Sequence, residues 1–163
     1  MNLFEAIFRV DSLDGAAVLY EQRQISYAEL RDETLALAQV LSELGVGSGD
    51  RVALMLNDSP EFIASFIGIC SYGAIAVPIN MGLRLDEHRA ILNDCTARFA
   101  ILEENLANAI RVDASEELPH LAELVVVSRD DLDGKRELTT ETQTGVRARA
   151  ARVGGGCDRI KNS

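Results

Sequence analysis

RVALMLNDSPEFIASFIGICSYGAIAVPI, residues 51–79, is the stretch on which the fold turns. Arg51-Val-Ala-Leu-Met-Leu56 is a short apolar run with no polar alternation, the pattern of a strand buried on both faces. Asn57-Asp-Ser-Pro60-Glu61 then has the chemistry of a helix start. Asp58 or Ser59 can accept an orphan backbone N–H, Pro60 falls in the first turn, where its missing N–H costs little, and Glu61 complements the positive end of the helix dipole. Glu61–Tyr72 is apolar almost all round, which predicts burial on more than one side. Gly73 ends that helix, and Ala74-Ile-Ala-Val-Pro-Ile79 predicts a second short buried strand with Pro78 near its end. Strand, helix, strand is the parallel crossover unit.

The same grammar extends outward. Leu3, Phe4, Ile7, Phe8 and Val10 predict a short amphipathic helix over 3–10, and the apolar segments around Glu21-Gln-Arg23 predict a small hairpin or extended bend. Ser26-Tyr-Ala-Glu29 is a capping box, in which the hydroxyl and the carboxylate each meet an orphan backbone N–H. The helix it opens is predicted to run to about Leu44, with the stripe Leu30, Leu35, Leu37, Ala38, Leu41 and Leu44, and Gly45 as its stop. Gly45-Val-Gly-Ser-Gly49 follows a helix and precedes a strand, the reverse of a dinucleotide fingerprint, and so reads as a connecting loop. Downstream, Asp86 is expected to cap a helix through Asn93, Arg98–Leu102 to form a strand, Glu103–Arg111 a helix and Leu124–Val127 a strand. Strands near 51, 76, 98 and 124 with helices between them imply an α/β fold, a mainly parallel sheet with covering helices. Arg129–Arg136 reads as a polar turn. Thr139–Ser163 shows no helical or strand period, so a poorly ordered C-terminal tail is expected.

Charge supports that division. Residues 1–138 carry 24 acids and 11 bases, a balance of −13; residues 139–163 carry 2 acids and 5 bases, a balance of +3. A net charge of −10 argues against nucleic-acid binding through a basic face. Cys70, Cys95 and Cys157 are odd in number and contain no C-x-x-C, so no disulfide framework or zinc site is expected, and a reducing cytoplasm is the default location. Cys70 and Cys95 read as buried, inert thiols. His88 and His120 have no partners at ligand spacing, so no metal residue is assigned. Phe62–Pro78 is interrupted by Gly68, Gly73 and Pro78 and falls short of the roughly 20 apolar residues of a membrane span, so no transmembrane segment is expected. The start, Met-Asn-Leu-Phe-Glu, lacks the form of a signal peptide.

Three phrases follow one another at characteristic intervals: Ile25-Ser-Tyr-Ala-Glu-Leu30, Leu44-Gly-Val-Gly-Ser-Gly-Asp-Arg-Val-Ala53 and Phe66-Ile-Gly-Ile-Cys-Ser-Tyr-Gly-Ala-Ile-Ala-Val-Pro-Ile-Asn80. The series resembles the N-terminal region of AMP-dependent acyl-CoA synthetases, the adenylate-forming ligase superfamily, and Asp94-Cys-Thr-Ala97 resembles the turn that follows there. The resemblance covers roughly residues 1–130. It implies residues 1–134 as a partial N-terminal AMP-binding domain and 135–163 as a polar tail, disordered or frameshifted. It also implies the family reaction: ATP activates a carboxylic acid to an acyl-adenylate, from which a CoA thioester forms, with ATP, Mg²⁺ and CoA as the family's cofactors. The family's phosphate loop, adenine motif and catalytic Lys have no matching positions in this chain. No catalytic, cofactor-binding or metal residue is therefore assigned, and no cofactor is expected in this chain itself.

Thr140-Glu-Thr-Gln-Thr-Gly-Val-Arg-Ala-Arg149 is the nearest approach to a phosphate loop, through Thr140, Thr144 and Gly145. Thr142 replaces a loop glycine, Arg147-Ala-Arg149 replaces Pro-Lys-Gly, and Glu141 would repel phosphates. The chain has 14 Arg and only two Lys, Lys135 and Lys161, which hints at GC-rich coding DNA. A frameshift near 135–142, or a natural short form with a drifted tail, would account for residues 145–156, which use only Gly, Val, Arg, Ala. Three functions follow. The first is an inactive, truncated ligase segment. The second is a non-catalytic module that pairs with a synthetase or an acyl carrier protein through an apolar surface left exposed. The third is a small nucleotide-binding domain that uses the carboxyl ends of its strands at Asn57–Ser59, Asn80-Met81, Glu103-Glu104 and Ser128-Arg129. At Ser59, capping is the better account than anion binding, because Asp58 and Glu61 flank it. Glu103-Glu104, Glu116-Glu117 and Asp130-Asp131 read as solvated faces or turns.

Overall fold

The computed structural model describes residues 2–111, 118–129, 136–142 and 147–153. The chain runs α1 (Leu3–Phe8), β1 (Ala16–Tyr20), β2 (Arg23–Ser26), α2 (Tyr27–Glu43), β3 (Arg51–Met55), α3 (Pro60–Ser71) and β4 (Ile75–Pro78). It continues with α4 (Leu85–Asp94), β5 (Phe99–Glu103), α5 (Glu104–Arg111), β6 (Glu123–Arg129), β7 (Arg136–Thr142) and β8 (Arg147–Val153). β1 and β2 form the expected antiparallel hairpin. The other strands form one sheet in the order β4-β3-β5-β6-β7-β8. β4, β3, β5 and β6 pair in parallel, and β7 and β8 add to β6 antiparallel.

Helices cover both faces of the parallel part. Val52 and Leu54 of β3 pack with Leu37, Val40 and Leu41 of α2 and Ile69 of α3. Ala53 and Met55 pack with Leu92 of α4 and Ala107 and Ile110 of α5. A smaller core joins Ile25 and Leu30 to Ala64 and Ile67, with Phe4 and Phe8 of α1 against it. α2 and α3 cross closely at Gly68, where a Cβ would lie 3.3 Å from Leu37 Cδ2 and 3.5 Å from the Thr34 carbonyl. The loop reading of Gly45–Gly49 holds: the Asp50 carboxylate accepts the Gly47 N–H at 2.8 Å, and the Gly49 N–H donates to the Gly73 carbonyl at 3.0 Å. Gly73 has φ +71°, a backbone region that a side chain disfavours, and a Cβ there would meet Ser48 Oγ at 3.1 Å.

Several local expectations change. Leu35, placed in the apolar stripe of α2, is half exposed, and Thr34 takes the buried position, its hydroxyl donating to the Leu30 carbonyl at 2.8 Å. β4 is an edge strand rather than a buried one, and Ile75 is 47% exposed. An edge suits Pro78, which has no N–H for a further neighbour. Arg84, not Asp86, is the N-cap of α4: its N–H donates to Glu87 Oε2 at 2.8 Å, while Asp86 lies in the first turn and pairs with the Arg84 guanidinium at 3.0 Å. Cys70 and Cys95 are partly rather than fully buried.

The largest change is in the tail. Where no strand period was visible, β7 and β8 extend the sheet beyond residue 134, and Leu138 is buried with Val125 and Val127. The β6 edge supplies backbone partners along the whole of β7, and β-branched Thr139, Thr140 and Thr142 suit a pleated strand. In β8 the register skips Ala150: Leu138 lies opposite Ala151, and Thr139 opposite Arg149. A bulge of that kind breaks the period of two that betrays a strand in sequence. Residues 154–163 lie outside the described residues, as do 130–135 of the expected polar turn.

The α2 capping box gives a pH test. Ser26 Oγ accepts the Glu29 N–H at 3.2 Å, and Glu29 Oε2 accepts the Ser26 N–H at 2.8 Å and its hydroxyl at 2.9 Å. The backbone bond from Ser26, then its hydroxyl, holds the Glu29 carboxyl below its ordinary value of 4.5. A depressed folded value stabilises the protein above the unfolded pKa and is lost as pH falls through the folded one. Denaturant midpoints of the parent and Glu29→Gln should therefore differ near neutral pH and converge on acidification below 4.5; a difference unchanged in acid contradicts this.

Candidate functional site

Ligands of open α/β sheets bind beyond the carboxyl ends of the strands, where neighbouring strands send their connections in opposite directions. Here that point lies between β3 and β5. The chain leaves β3 for α3 on one face, and leaves β5 for α5 on the other. Asn57 and Glu103 meet across this crevice. Glu103 Oε1 accepts from Asn57 Nδ2 at 3.2 Å and from the Asn57 backbone N–H at a longer 3.4 Å. The carboxylate of one strand end thus takes donors of the other that would otherwise face a ligand.

The adjacent groups follow the capping account. Ser59 is 5% exposed and caps α3, its Oγ accepting the Phe62 N–H at 3.2 Å, so the hydroxyl is engaged by its own helix. Pro60 occupies the first turn, and Glu61 adds a carboxylate there. Asn80 closes a tight turn, with Oδ1 accepting the Gly82 N–H at 2.8 Å. Its carbonyl lies 2.9 Å from His88 Nε2, which must therefore carry the hydrogen. His88 is almost fully buried, and its Nδ1 has no accessible surface and no hydrogen-bond partner. A shallow depression of about 240 Å³ lies beside it, between Leu83 and Leu85 on one side and Asn105 and Leu106 on the other. Ser128, the last strand-end residue whose side chain is described, lies in β6.

The residues laid against a phosphate loop fall on two strands and on the segment between them. Thr140 and Thr142 are in β7 and Arg147 and Arg149 in β8, while Thr144 and Gly145 lie outside the described residues. Among the described residues, no three His, Cys, Asp or Glu side chains gather where a metal ion could be held, and no helix is long and apolar enough to cross a membrane. From the sequence, Glu103 read as part of a solvated acidic pair and, like Asn57, as a strand-end residue, with no sign of a contact between the two. Forty-six residues separate the two, and only the strand order brings them together.

A mainly parallel sheet covered on both faces, behind an N-terminal hairpin and capped helix, defines the class: an open-sheet α/β domain. The crystal structure of an anthranilate CoA ligase in complex with anthranoyl-AMP matches with a TM-score of 0.72 at 31% identity, over 82% of this chain and 26% of that one. Crotonobetaine/carnitine–CoA ligase of Proteus mirabilis is 32% identical over 110 residues, which are 68% of this chain and 21% of the relative. The 4-hydroxybenzoate–CoA/benzoate–CoA ligase of Rhodopseudomonas palustris is 33% identical over 111 residues, 68% of this chain and 20% of the relative. The family model for AMP-binding enzymes matches residues 6–153. The chain belongs to the AMP-binding enzyme family, and it spans about a fifth of the length of the curated relatives it matches.

Replacing Glu103 by Ala removes the single acceptor, Oε1, of both Asn57 donors. At this exposed position a cost of about 0.5–1.5 kcal/mol is expected, with faster hydrogen exchange at the Asn57 amide. Unchanged exchange at that amide would show that the contact does not hold the crevice.

Proposed function

We propose that this chain is scaffold from an ATP-dependent acid–CoA ligase, and that the 163 residues by themselves do not adenylate an acid. Family membership and the CoA-ligase names of its relatives support the first part. The carboxylate-sealed crevice between β3 and β5 supports the second. Adenylation transfers a nucleotidyl group from a highly charged triphosphate, and its catalysis rests on fixed donors and cations around the phosphates. At the ends of β3 and β5, which flank the crevice, the charged groups are Asp58, Glu61, Glu103 and Glu104, all anionic, while Arg129 ends β6 one strand further along. Unit charges 4 Å apart near a protein surface interact by roughly 4 kcal/mol, so the sign of this cluster opposes a triphosphate. Both lysines of the chain, Lys135 and Lys161, lie outside the described residues.

The donor set of the crevice therefore does not fit ATP with Mg²⁺, and no step of the family reaction is routed through it. What these residues do is hold a surface. β3 and β5 are paired up to Met55 and Leu102, α3 and α5 leave in opposite directions, and Asn57–Glu103 bridges the two strand ends. In a longer ligase, such an edge would give the groups that touch nucleotide and acid a rigid base.

A second reading is a non-catalytic module that pairs with a synthetase or a carrier protein. Leu19 of β1 is 78% exposed and Leu35 and Ile75 about half exposed, apolar surface of the kind this reading would use. Size-exclusion chromatography with light scattering, with and without a full-length family ligase, tells the two apart.

The deciding assay is acid-dependent ATP–pyrophosphate exchange by the purified chain, with benzoate, 4-hydroxybenzoate, anthranilate, crotonobetaine and carnitine. Exchange at the level of the no-enzyme control is expected with every acid. Acid-dependent exchange that survives repurification would overturn the proposal.

A further inference from the structure

A groove runs between α1 and α2. It is open to solvent, lined by Phe4, Glu5, Phe8, Arg9 and Arg31, and has a volume of about 470 Å³. Its floor is aromatic: the Phe4 and Phe8 rings lie one helical turn apart, with centroids 4.7 Å apart and planes tilted by 55°. Both rings are only partly buried, resting on the small core around Ile25 and Ile67. Its rim is cationic on two sides. Among the described residues no carboxylate pairs with Arg9. Arg31 turns Nε and Nη2 to a single oxygen of its neighbour Asp32, at 3.4 and 3.3 Å, which leaves its Nη1 edge to the groove side or to water.

One carboxylate shares the groove, and it sets the charge of the occupant. Glu5 Oε2 accepts the Asn2 N–H at 3.2 Å, within the α1 capping box, so this acid is drawn toward the start of the helix and away from Arg9 at its end. With Arg31 matched by Asp32 and Glu5 engaged at the helix start, Arg9 is the guanidinium left to meet a further negative charge. The −10 of the whole chain opposes any anion, but charges beyond about 8 Å are largely screened at physiological salt, so the groups in the groove decide.

The geometry points to a peripheral site for an amphipathic monocarboxylate, with an aromatic or aliphatic body laid on Phe4 and Phe8 and its carboxylate between Arg9 and Arg31. A dianionic phosphate is disfavoured by Glu5 and makes no use of the rings. A planar guanidinium matches a carboxylate with two parallel donors, which a neutral amide cannot reciprocate. The groove shares no residue with the crevice between β3 and β5, so this inference stands apart from the proposed ligase role.

The test is a titration of the ¹⁵N-labelled chain with 4-phenylbutyrate, and with 4-phenylbutyramide as the uncharged control. Saturable shifts are expected at the amides of residues 4–9 and 31, with the amide binding at least tenfold more weakly. Arg9→Gln should weaken the acid several-fold and Arg9→Lys less, both with an unchanged thermal midpoint. Equal binding of acid and amide, an unaffected Arg9→Gln, or saturable shifts confined to other residues would overturn the site. So would the absence of saturable shifts at millimolar acid.

Discussion

Val52, Ala53, Leu54 and Met55 expose no surface to solvent, and the rest of the molecule is arranged to keep them dry. β3 is buried on both faces and paired on both edges, in parallel with β4 on one side and β5 on the other. Burying an aliphatic side chain of this size contributes about 1.5–3 kcal/mol, and a backbone group buried without a partner costs a comparable amount. The strand is therefore stable only if both neighbours and both helical layers form together. α2 and α3 answer Val52 and Leu54, α4 and α5 answer Ala53 and Met55, and the connections between strands must lie on opposite faces. The crevice at the carboxyl edge is a consequence of that requirement.

The parts of the fold legible in the sequence were those set by local chemistry. Ser26 and Glu29, Ser59 and Pro60, Gly45 and Gly73 each act within a few residues of themselves, and each was placed correctly. What depended on neighbours distant in the chain was harder. Ala74–Ile79 has the composition of an interior strand, yet strand order puts it at an edge, and only Pro78 hinted at that. β8 was hidden by the bulge at Ala150, across which alternation changes phase. Glu103 sits in an acidic, hydrophilic pair and carried no local sign that it meets Asn57. Family resemblance was legible because its phrases are the capping and turn signals that such a scaffold needs.

Those same signals explain why the chain carries the marks of its family. Capping boxes, glycine stops and a fully buried strand are conditions for a fold. At the ends of β3 and β5 a carboxylate and a side-chain amide meet each other. A surface that satisfies its own polar groups is a good base for other elements to rest on, and a poor receptor for a triphosphate. The cationic rim of the α1–α2 groove, by contrast, lies away from the sheet, where no strand end constrains it.

Native-state hydrogen exchange tests the central claim most directly. If β3 is the element on which everything depends, the amides of Val52–Met55 exchange only through global unfolding, with the same free energy as their partners in β5, while β7 and β8 open at lower cost. Amides of β3 that exchange through a local opening, well below the global free energy or faster than those of β7, would contradict the account.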